Sequence, residues 1–185
     1  MDDKKIIELF FRRDENALNE TENKYGVYCR YIADNILPSR EDSEECTNDM
    51  LNAVWNSIPP ERPKCFKAYI GRITRNLALN RIKAMRAGKR GGEATAEALD
   101  ELKECVSERS VERELDAKEM KMCIDSFLNK LDSKSRSVFV KRYWYLCSPA
   151  QIAKEMGMTV NAVNVMLHRL RSRLKDYLES EGYDV

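Results

Sequence analysis

The side chains best suited to covalent or metal chemistry are six cysteines and a single histidine, His168. The cysteines stand at positions 29, 46, 65, 105, 123 and 147, so no two are closer than 17 positions. Zinc modules usually take thiolates from closely spaced CxxC turns. The chain also lacks the GxSxG, P-loop and HExxH motifs of common enzyme classes. We therefore expect buried, reduced thiols, no metal, no cofactor and no enzymatic activity.

The 32 basic and 31 acidic residues are segregated along the chain. Residues 62–90 contain ten basic side chains and no acidic one, whereas residues 1–61 have a net charge of −7 and residues 91–119 of −6. Ten uncompensated positive charges repel one another unless an anion binds them. Nucleic acid is the leading candidate for that anion, and a solvated surface is the alternative.

The cationic block has the periodicity of a helix that begins near Phe66. Its apolar residues Phe66, Ile70, Ile73 and Leu77 recur at helical spacing and predict a buried face. Turning each residue by about 100° places a polar and basic stripe on another face. That stripe contains Arg72, Arg75, Asn76, Lys83 and Arg86. Tyr69 lies near its edge, where the ring could stack on an exposed base or pack in the core.

Two helices and a loop are predicted before this block. The first has apolar positions from Leu18 to Ile36, and Pro38 ends it. The second covers about residues 41–55 and has a core face opposite a polar stripe. That stripe contains Glu45, Asn48, Asp49 and Asn52. Three prolines in residues 58–63 predict a loop, because proline lacks a backbone donor and restricts the residue before it.

The last third of the chain has the pattern of a helix-turn-helix. Ser148 followed by Pro149 predicts a helix start, Gly157 a turn, and Thr159 the start of a second helix. The second helix has a predicted buried ridge and is rich in positive charge. The ridge contains Val163, Leu167, Leu170, Leu174 and Leu178. This arrangement typically lays its second helix in a DNA major groove, and a generic helical hairpin is the alternative.

The whole chain is therefore predicted to be all-α, with two small helical domains joined by a linker. The predicted domains are residues 1–90 and 118–185, and the glycine-containing, charged residues 91–117 form an acidic linker. No stretch approaches the roughly 18 to 20 apolar residues of a membrane span. We expect a cytoplasmic protein without a membrane partner.

Both halves resemble bacterial RNA polymerase sigma factors of the extracytoplasmic-function (ECF) branch. Residues 40–45 (REDSEE), Trp55 and residues 66–80 (FKAYIGRITRNLALN) resemble sigma domain two. Residues 131–143 and the helix-turn-helix through residues 168–174 (HRLRSRL) resemble sigma domain four. The matches cover roughly residues 15–87 and 118–178, in the family order. The resemblance implies a domain-two helical bundle and a domain-four helix-turn-helix.

The resemblance also implies a function and partners. A sigma factor binds core RNA polymerase, recognises promoter DNA and assists strand opening, and an anti-sigma protein is a further possible partner. The implied core polymerase-binding residues are Glu44, Glu45, Asn48, Asp49 and Asn52. The implied minus-ten and melting residues are Arg62, Lys64, Lys67, Tyr69, Arg72, Arg75, Asn76, Asn80, Lys83 and Arg86. The implied minus-thirty-five residues are Asn161, Ala162, Asn164, Val165, His168, Arg169 and Arg171. The alternative function is a helix-turn-helix regulator that binds duplex DNA without core polymerase.

Overall fold

The computed structural model describes residues 1–88, 98, 101, 102 and 114–183, with side chains for residues 1–85, 98, 101, 102 and 119–183. The described part is helical, and the chain divides into two compact units, Met1–Gly92 and Glu93–Val185. The first unit contains helices α1 (Asp3–Phe11), α2 (Asn16–Asp34), α3 (Arg40–Ser57) and α4 (Phe66–Gly88). The second contains α5 (Glu114–Lys130), α6 (Ser133–Tyr143), α7 (Pro149–Met156) and α8 (Val160–Ser180).

Helices α2, α3 and α4 pack on one another around the core of the first unit. The core face predicted for α3 contains Cys46, Met50, Ala53 and Val54, of which all are buried except Ala53, which is half-buried. Phe66 and Ile70 of α4 join this core. Helix α1 was not predicted from the sequence. It buries Ile6 and the ring of Phe10, because the tertiary structure gives this short apolar run a surface to cover.

Local sequence signals explain where α3 and α4 begin. The Ser39 hydroxyl accepts a hydrogen bond from the Asp42 backbone N–H at 3.1 Å, which caps the first turn of α3. Helix α3 ends at Ser57, and the predicted loop over residues 58–63 is confirmed. Helix α4 starts at Phe66, as its apolar spacing predicts.

Gly71 of α4 lies against the side chain of Tyr28 of α2. A Cβ atom built there would lie 2.5 Å from the Tyr28 hydroxyl oxygen and 3.1 Å from the Cε1 atom of its ring. A side chain at this position would therefore push the two helices apart or displace the tyrosine ring. Glycine lets α4 lie against α2 and so fixes which face of α4 remains outside.

The second unit contains the predicted helix-turn-helix as α7 and α8. The Ser148 hydroxyl accepts from the Gln151 N–H at 3.2 Å, and the Thr159 hydroxyl accepts from the Ala162 N–H at 3.2 Å. Between the two helices, Gly157 adopts a left-handed conformation with φ 62°, which suits glycine. All five residues of the predicted α8 ridge are buried.

The cysteine prediction holds at four positions and is wrong at one. Cys29, Cys46, Cys123 and Cys147 are buried free thiols, whereas Cys65 is exposed. Burial raises the pKa of Cys46 to about 11. Cys65 lies in the segment between α3 and α4, directly before Phe66, and is not part of either helix. Cys105 lies outside the described residues.

No helix among the described residues is both long and apolar enough to cross a membrane.

Candidate polymerase and nucleic-acid interfaces

An exposed polar stripe runs along α3, opposite its buried face. We call this stripe the acidic face. It contains Glu44, Glu45, Asn48, Asp49 and Asn52, all of them exposed. Cys46 and Met50 lie on the buried side of the same helix, which fixes the direction in which the stripe points. Carboxylates and amides presented in this way suit a partner surface that is basic and hydrogen-bonding.

Arg81 of α4 reaches across to this acidic face. Its Nη2 atom lies 2.6 Å from Oε1 of Glu45 and 3.7 Å from Oδ2 of Asp49. Its Nη1 atom donates to the backbone carbonyl of Asp42 at 3.1 Å. The hydrogen bond to Glu45 raises the pKa of the Arg81 guanidinium. The sequence did not assign Arg81, because its contact depends on how α3 docks against α4.

Helix α4 presents most of its predicted basic stripe to solvent. Arg72, Asn76, Asn80 and Lys83 are exposed, and we call these four residues the α4 basic face. Arg75 differs, because it is half-buried, and desolvation lowers the pKa of its guanidinium. The Arg86 side chain lies outside the described residues. The exposed members can hold a polyanion along the helix, as a phosphate backbone requires.

The cations that precede this face already contact other parts of the first unit. The guanidinium of Arg62 lies 4.4 Å from the centre of the Phe11 ring, and its Nη1 atom is 2.8 Å from Oε1 of Glu8. The ammonium of Lys67 lies 4.8 Å from the centre of the Tyr28 ring. Both side chains are exposed, and Lys64 is exposed as well. Lys64 and Lys67 therefore add positive charge beside α4, whereas the Glu8 carboxylate offsets part of the charge of Arg62.

Tyr69 is both a packed and an accessible residue. Its ring is half-buried against the core of the first unit, and its hydroxyl donates to Oγ of Ser57 at 2.8 Å. The guanidinium of Arg72 lies 5.7 Å from the ring centre. The packing interpretation from the sequence is therefore confirmed for this ring. Base stacking stays a prediction, and it places the ring beside Arg72 of the α4 basic face.

Helix α8 presents its predicted reading residues on the side away from its buried ridge. Asn161, Ala162, Asn164, Val165, His168 and Arg169 are exposed. A shallow depression is lined by Asn164, Val165, His168, Arg169 and Arg171. Arg171 is less exposed than its neighbours, because its guanidinium contacts Glu101. The structure thus brings five of the predicted residues together at one surface of α8.

Comparisons with known proteins match both units. The sigma-70 region 2 family matches residues 23–87, which include α3 and nearly all of α4. The sigma-70 region 4 family matches residues 121–174, which include α6, α7 and most of α8. A helix-turn-helix regulator without core polymerase is not favoured, because that alternative does not account for the region 2 match.

Relatives match along most of the chain. The RNA polymerase sigma-E factor of Streptomyces antibioticus is 31% identical over 152 residues, which cover 80% of this chain and 77% of the relative. That of Streptomyces avermitilis is 28% identical over 152 residues, covering 80% and 78%. The ECF RNA polymerase sigma factor SigE of Mycolicibacterium smegmatis is 26% identical over 149 residues, covering 80% and 56%.

A solved structure of CnrH in complex with the cytosolic domain of CnrY aligns with 97% of this chain and 99% of that chain. The alignment has 21% sequence identity and a TM-score of 0.44. The family matches and the sigma-E relatives settle the family on their own. The chain belongs to the ECF sigma factors, which bind core RNA polymerase and recognise promoter DNA.

Proposed function

We propose that the acidic face of α3 is the surface through which this sigma factor binds core RNA polymerase. The supporting observation is that Glu44, Glu45, Asn48, Asp49 and Asn52 are all exposed along one helix. Arg81 holds Glu45 and Asp49 in defined positions, so these carboxylates are ordered before a basic partner arrives. Preordered side chains lose less conformational entropy on binding.

The α4 basic face is proposed to hold the promoter strand near the minus-ten element and to assist its opening. Arg72 and Lys83 supply charge, while Asn76 and Asn80 supply hydrogen-bonding groups on the same exposed side. Lys64 and Lys67 add positive potential, and Arg62 adds less because Glu8 pairs with it. Tyr69 offers the ring on which an unpaired base can stack, because stacking replaces the contacts that a base loses when the duplex opens.

In the second unit, the exposed side of α8 is proposed to read the minus-thirty-five element. The depression lined by Asn164, Val165 and His168 lies near the N-terminal part of the second helix of a helix-turn-helix, the part that contacts bases in that motif. Arg169 is placed to contact phosphate. We propose residues 1–90 and 118–185 as the two binding modules, with residues 91–117 joining them.

These roles describe a non-catalytic specificity subunit that acts in the cytoplasm, where polymerase and chromosomal DNA are found. The family resemblance also implies an anti-sigma protein as a partner, and we assign no surface to it.

The experiment that tests the proposal is reconstitution with bacterial core RNA polymerase on a randomised promoter library. Wild-type holoenzyme should give promoter-specific transcripts with defined start sites. A variant with Glu45→Lys and Asp49→Lys should form less holoenzyme at a given concentration, whereas one with Arg72→Ala and Lys83→Ala should form holoenzyme normally but open DNA poorly. If the two variants behave alike, the assignment of separate polymerase and DNA faces is wrong.

A further inference from the structure

A carboxylate from the predicted linker is bound inside the second unit. Oε1 of Glu101 lies 2.7 Å from Nη2 of Arg142, and Oε2 accepts a hydrogen bond from the Tyr143 hydroxyl at 2.9 Å. Oε2 also lies 2.9 Å from Nη1 of Arg171. Ala98, three positions earlier, is buried. Ala98 and Glu101 both belong to the second unit.

The partners of Glu101 are buried or half-buried and are hydrogen-bonded to one another or to the backbone. The Arg142 side chain is 0% exposed, and its Nη1 atom also donates to the Cys147 carbonyl at 3.3 Å. Nη1 of Arg171 lies 3.2 Å from the Tyr143 hydroxyl as well. A buried guanidinium needs a close anion, because its desolvation is costly. Glu101 supplies that anion from outside α5 to α8.

Glu101 also joins this site to the surface of α8. Arg171 lines the depression that contains Asn164, Val165, His168 and Arg169, while its guanidinium is directed to the linker carboxylate. A guanidinium in a close ion pair has less free charge to offer to a phosphate. Arg169, two positions earlier, is exposed.

We propose that Glu101 weakens the binding of duplex DNA by this sigma factor, because its carboxylate pairs with Arg171 at the edge of the reading surface. The inference deepens the proposed role of α8 and rests on it. Arg171 is one of the residues that the family resemblance implies for the minus-thirty-five element, and its guanidinium is suited to a phosphate contact. Under this proposal it becomes one only when the Glu101 carboxylate is removed or neutralised, while Arg169 contacts phosphate in either case.

The test is a double-mutant cycle on the full chain. Wild type, Glu101→Gln, Arg171→Ala and the double variant are titrated with a fluorescein-labelled, mixed-sequence DNA duplex, and fluorescence anisotropy is followed over a range of NaCl concentrations. Glu101→Gln should tighten binding several-fold. It should also steepen the slope of log K against log [NaCl] by about 0.9, the contribution of one phosphate contact. In the wild-type background, Arg171→Ala should leave the salt slope nearly unchanged. In the Glu101→Gln background, it should remove both the tighter binding and the steeper slope.

Glu179→Gln is the matched control, because it removes the same charge from an exposed position on α8. It should not reproduce the coupling with Arg171. If Arg171→Ala weakens binding equally in both backgrounds, or if no variant binds duplex, the inference is overturned. If Glu101→Gln fails to fold, Arg171→Ala in the otherwise wild-type chain decides. A salt slope reduced by about 0.9 would show that Arg171 contacts phosphate despite its ion pair with Glu101, and would overturn the inference. Promoter-specific transcription by holoenzyme tests the proposed function separately.

Discussion

Nη2 of Arg81 lies 2.6 Å from Oε1 of Glu45, so an arginine of the cationic helix α4 contacts the acidic face of the neighbouring helix α3. The pair joins two surfaces that we assign to different partners, polymerase and DNA. Glu45 remains 64% exposed in its side chain, which leaves it accessible to a partner while it is held by Arg81.

Replacing Glu45 and Asp49 together with Lys should weaken core polymerase binding about tenfold or more, because like charges then meet across the interface. The free energy of unfolding should change by about 1 kcal/mol, since the Glu45 and Asp49 carboxylates are exposed although their partner Arg81 is half-buried. Titration of labelled core polymerase measures the affinity, and thermal unfolding measures the stability. Glu22→Lys with Asp34→Lys, at two exposed positions of α2, is the charge-matched control and should bind normally.

Arg72→Ala and Lys83→Ala should each weaken promoter complexes and lower the slope of their salt dependence by roughly 0.7 to 0.9. Both side chains are exposed, so the folded state should tolerate the loss. Arg75→Ala should instead lower the melting temperature, because the stem of this half-buried side chain is packed. Salt titrations of holoenzyme on promoter DNA, with thermal unfolding alongside, distinguish the two outcomes. An unchanged salt slope for both Arg72→Ala and Lys83→Ala would contradict the phosphate assignment.

Tyr69 offers a comparison between its ring and its hydroxyl. Tyr69→Phe and Ser57→Ala each remove the 2.8 Å hydrogen bond but keep the ring, so both should lower stability by about 1 kcal/mol and leave DNA opening intact. Tyr69→Ala should slow opening in addition, since a stacking ring is worth about 1 to 3 kcal/mol. Permanganate footprinting of the opened strand measures the rate. Opening at the wild-type rate by a folded Tyr69→Ala protein would restrict the ring to core packing.

Apart from Arg169, which we assign to phosphate, the exposed reading residues of α8 include no Arg or Lys, the side chains that most often read guanine. Asn pairs with adenine, and Ala and Val suit a thymine methyl. We therefore expect an A·T-rich upstream element. Asn164→Ala should cost about 1 to 3 kcal/mol at one base pair and relax the preference there, whereas Arg169→Ala should weaken all sequences alike. Selection from a library randomised upstream, with reconstituted holoenzyme, recovers the motif. A G·C-rich motif would contradict this expectation.

Acid should destabilise the second unit through Glu101. Burial alone would raise the pKa of this carboxyl, but hydrogen bonds from Arg142 and Tyr143 and the nearby guanidinium charges outweigh burial and lower it. Because the folded-state pKa lies below the ordinary value of about 4.3, the stabilisation is complete above that value and is lost as the pH falls through the folded-state pKa. Thermal unfolding at several pH values should therefore show wild type approaching Glu101→Gln on acidification. A constant difference between the two proteins would exclude this linkage.

The beginnings and ends of several helices follow from nearby residues alone. Ser148, Gly157 and Thr159 define the helix-turn-helix because each acts on backbone groups within a few positions of itself. The α8 ridge is also readable, since helical periodicity and apolarity are properties of the sequence. The same local signals predicted the loop before α4 and the exposed stripe on α3.

The tertiary structure decided the contacts between residues that are far apart in sequence. The sequence showed that Arg75 and Arg72 belong to one basic helix, but the packing of α4 decided that Arg75 is half-buried while Arg72 is exposed. It likewise showed Glu101 only as one carboxylate of an acidic linker. Its pairing with Arg142 and Arg171, 41 and 70 positions away, depends on how the helices of the second unit bring these residues together. Periodicity assigns a side chain to a face of its own helix, whereas its partner is set by how helices dock, which no local pattern encodes.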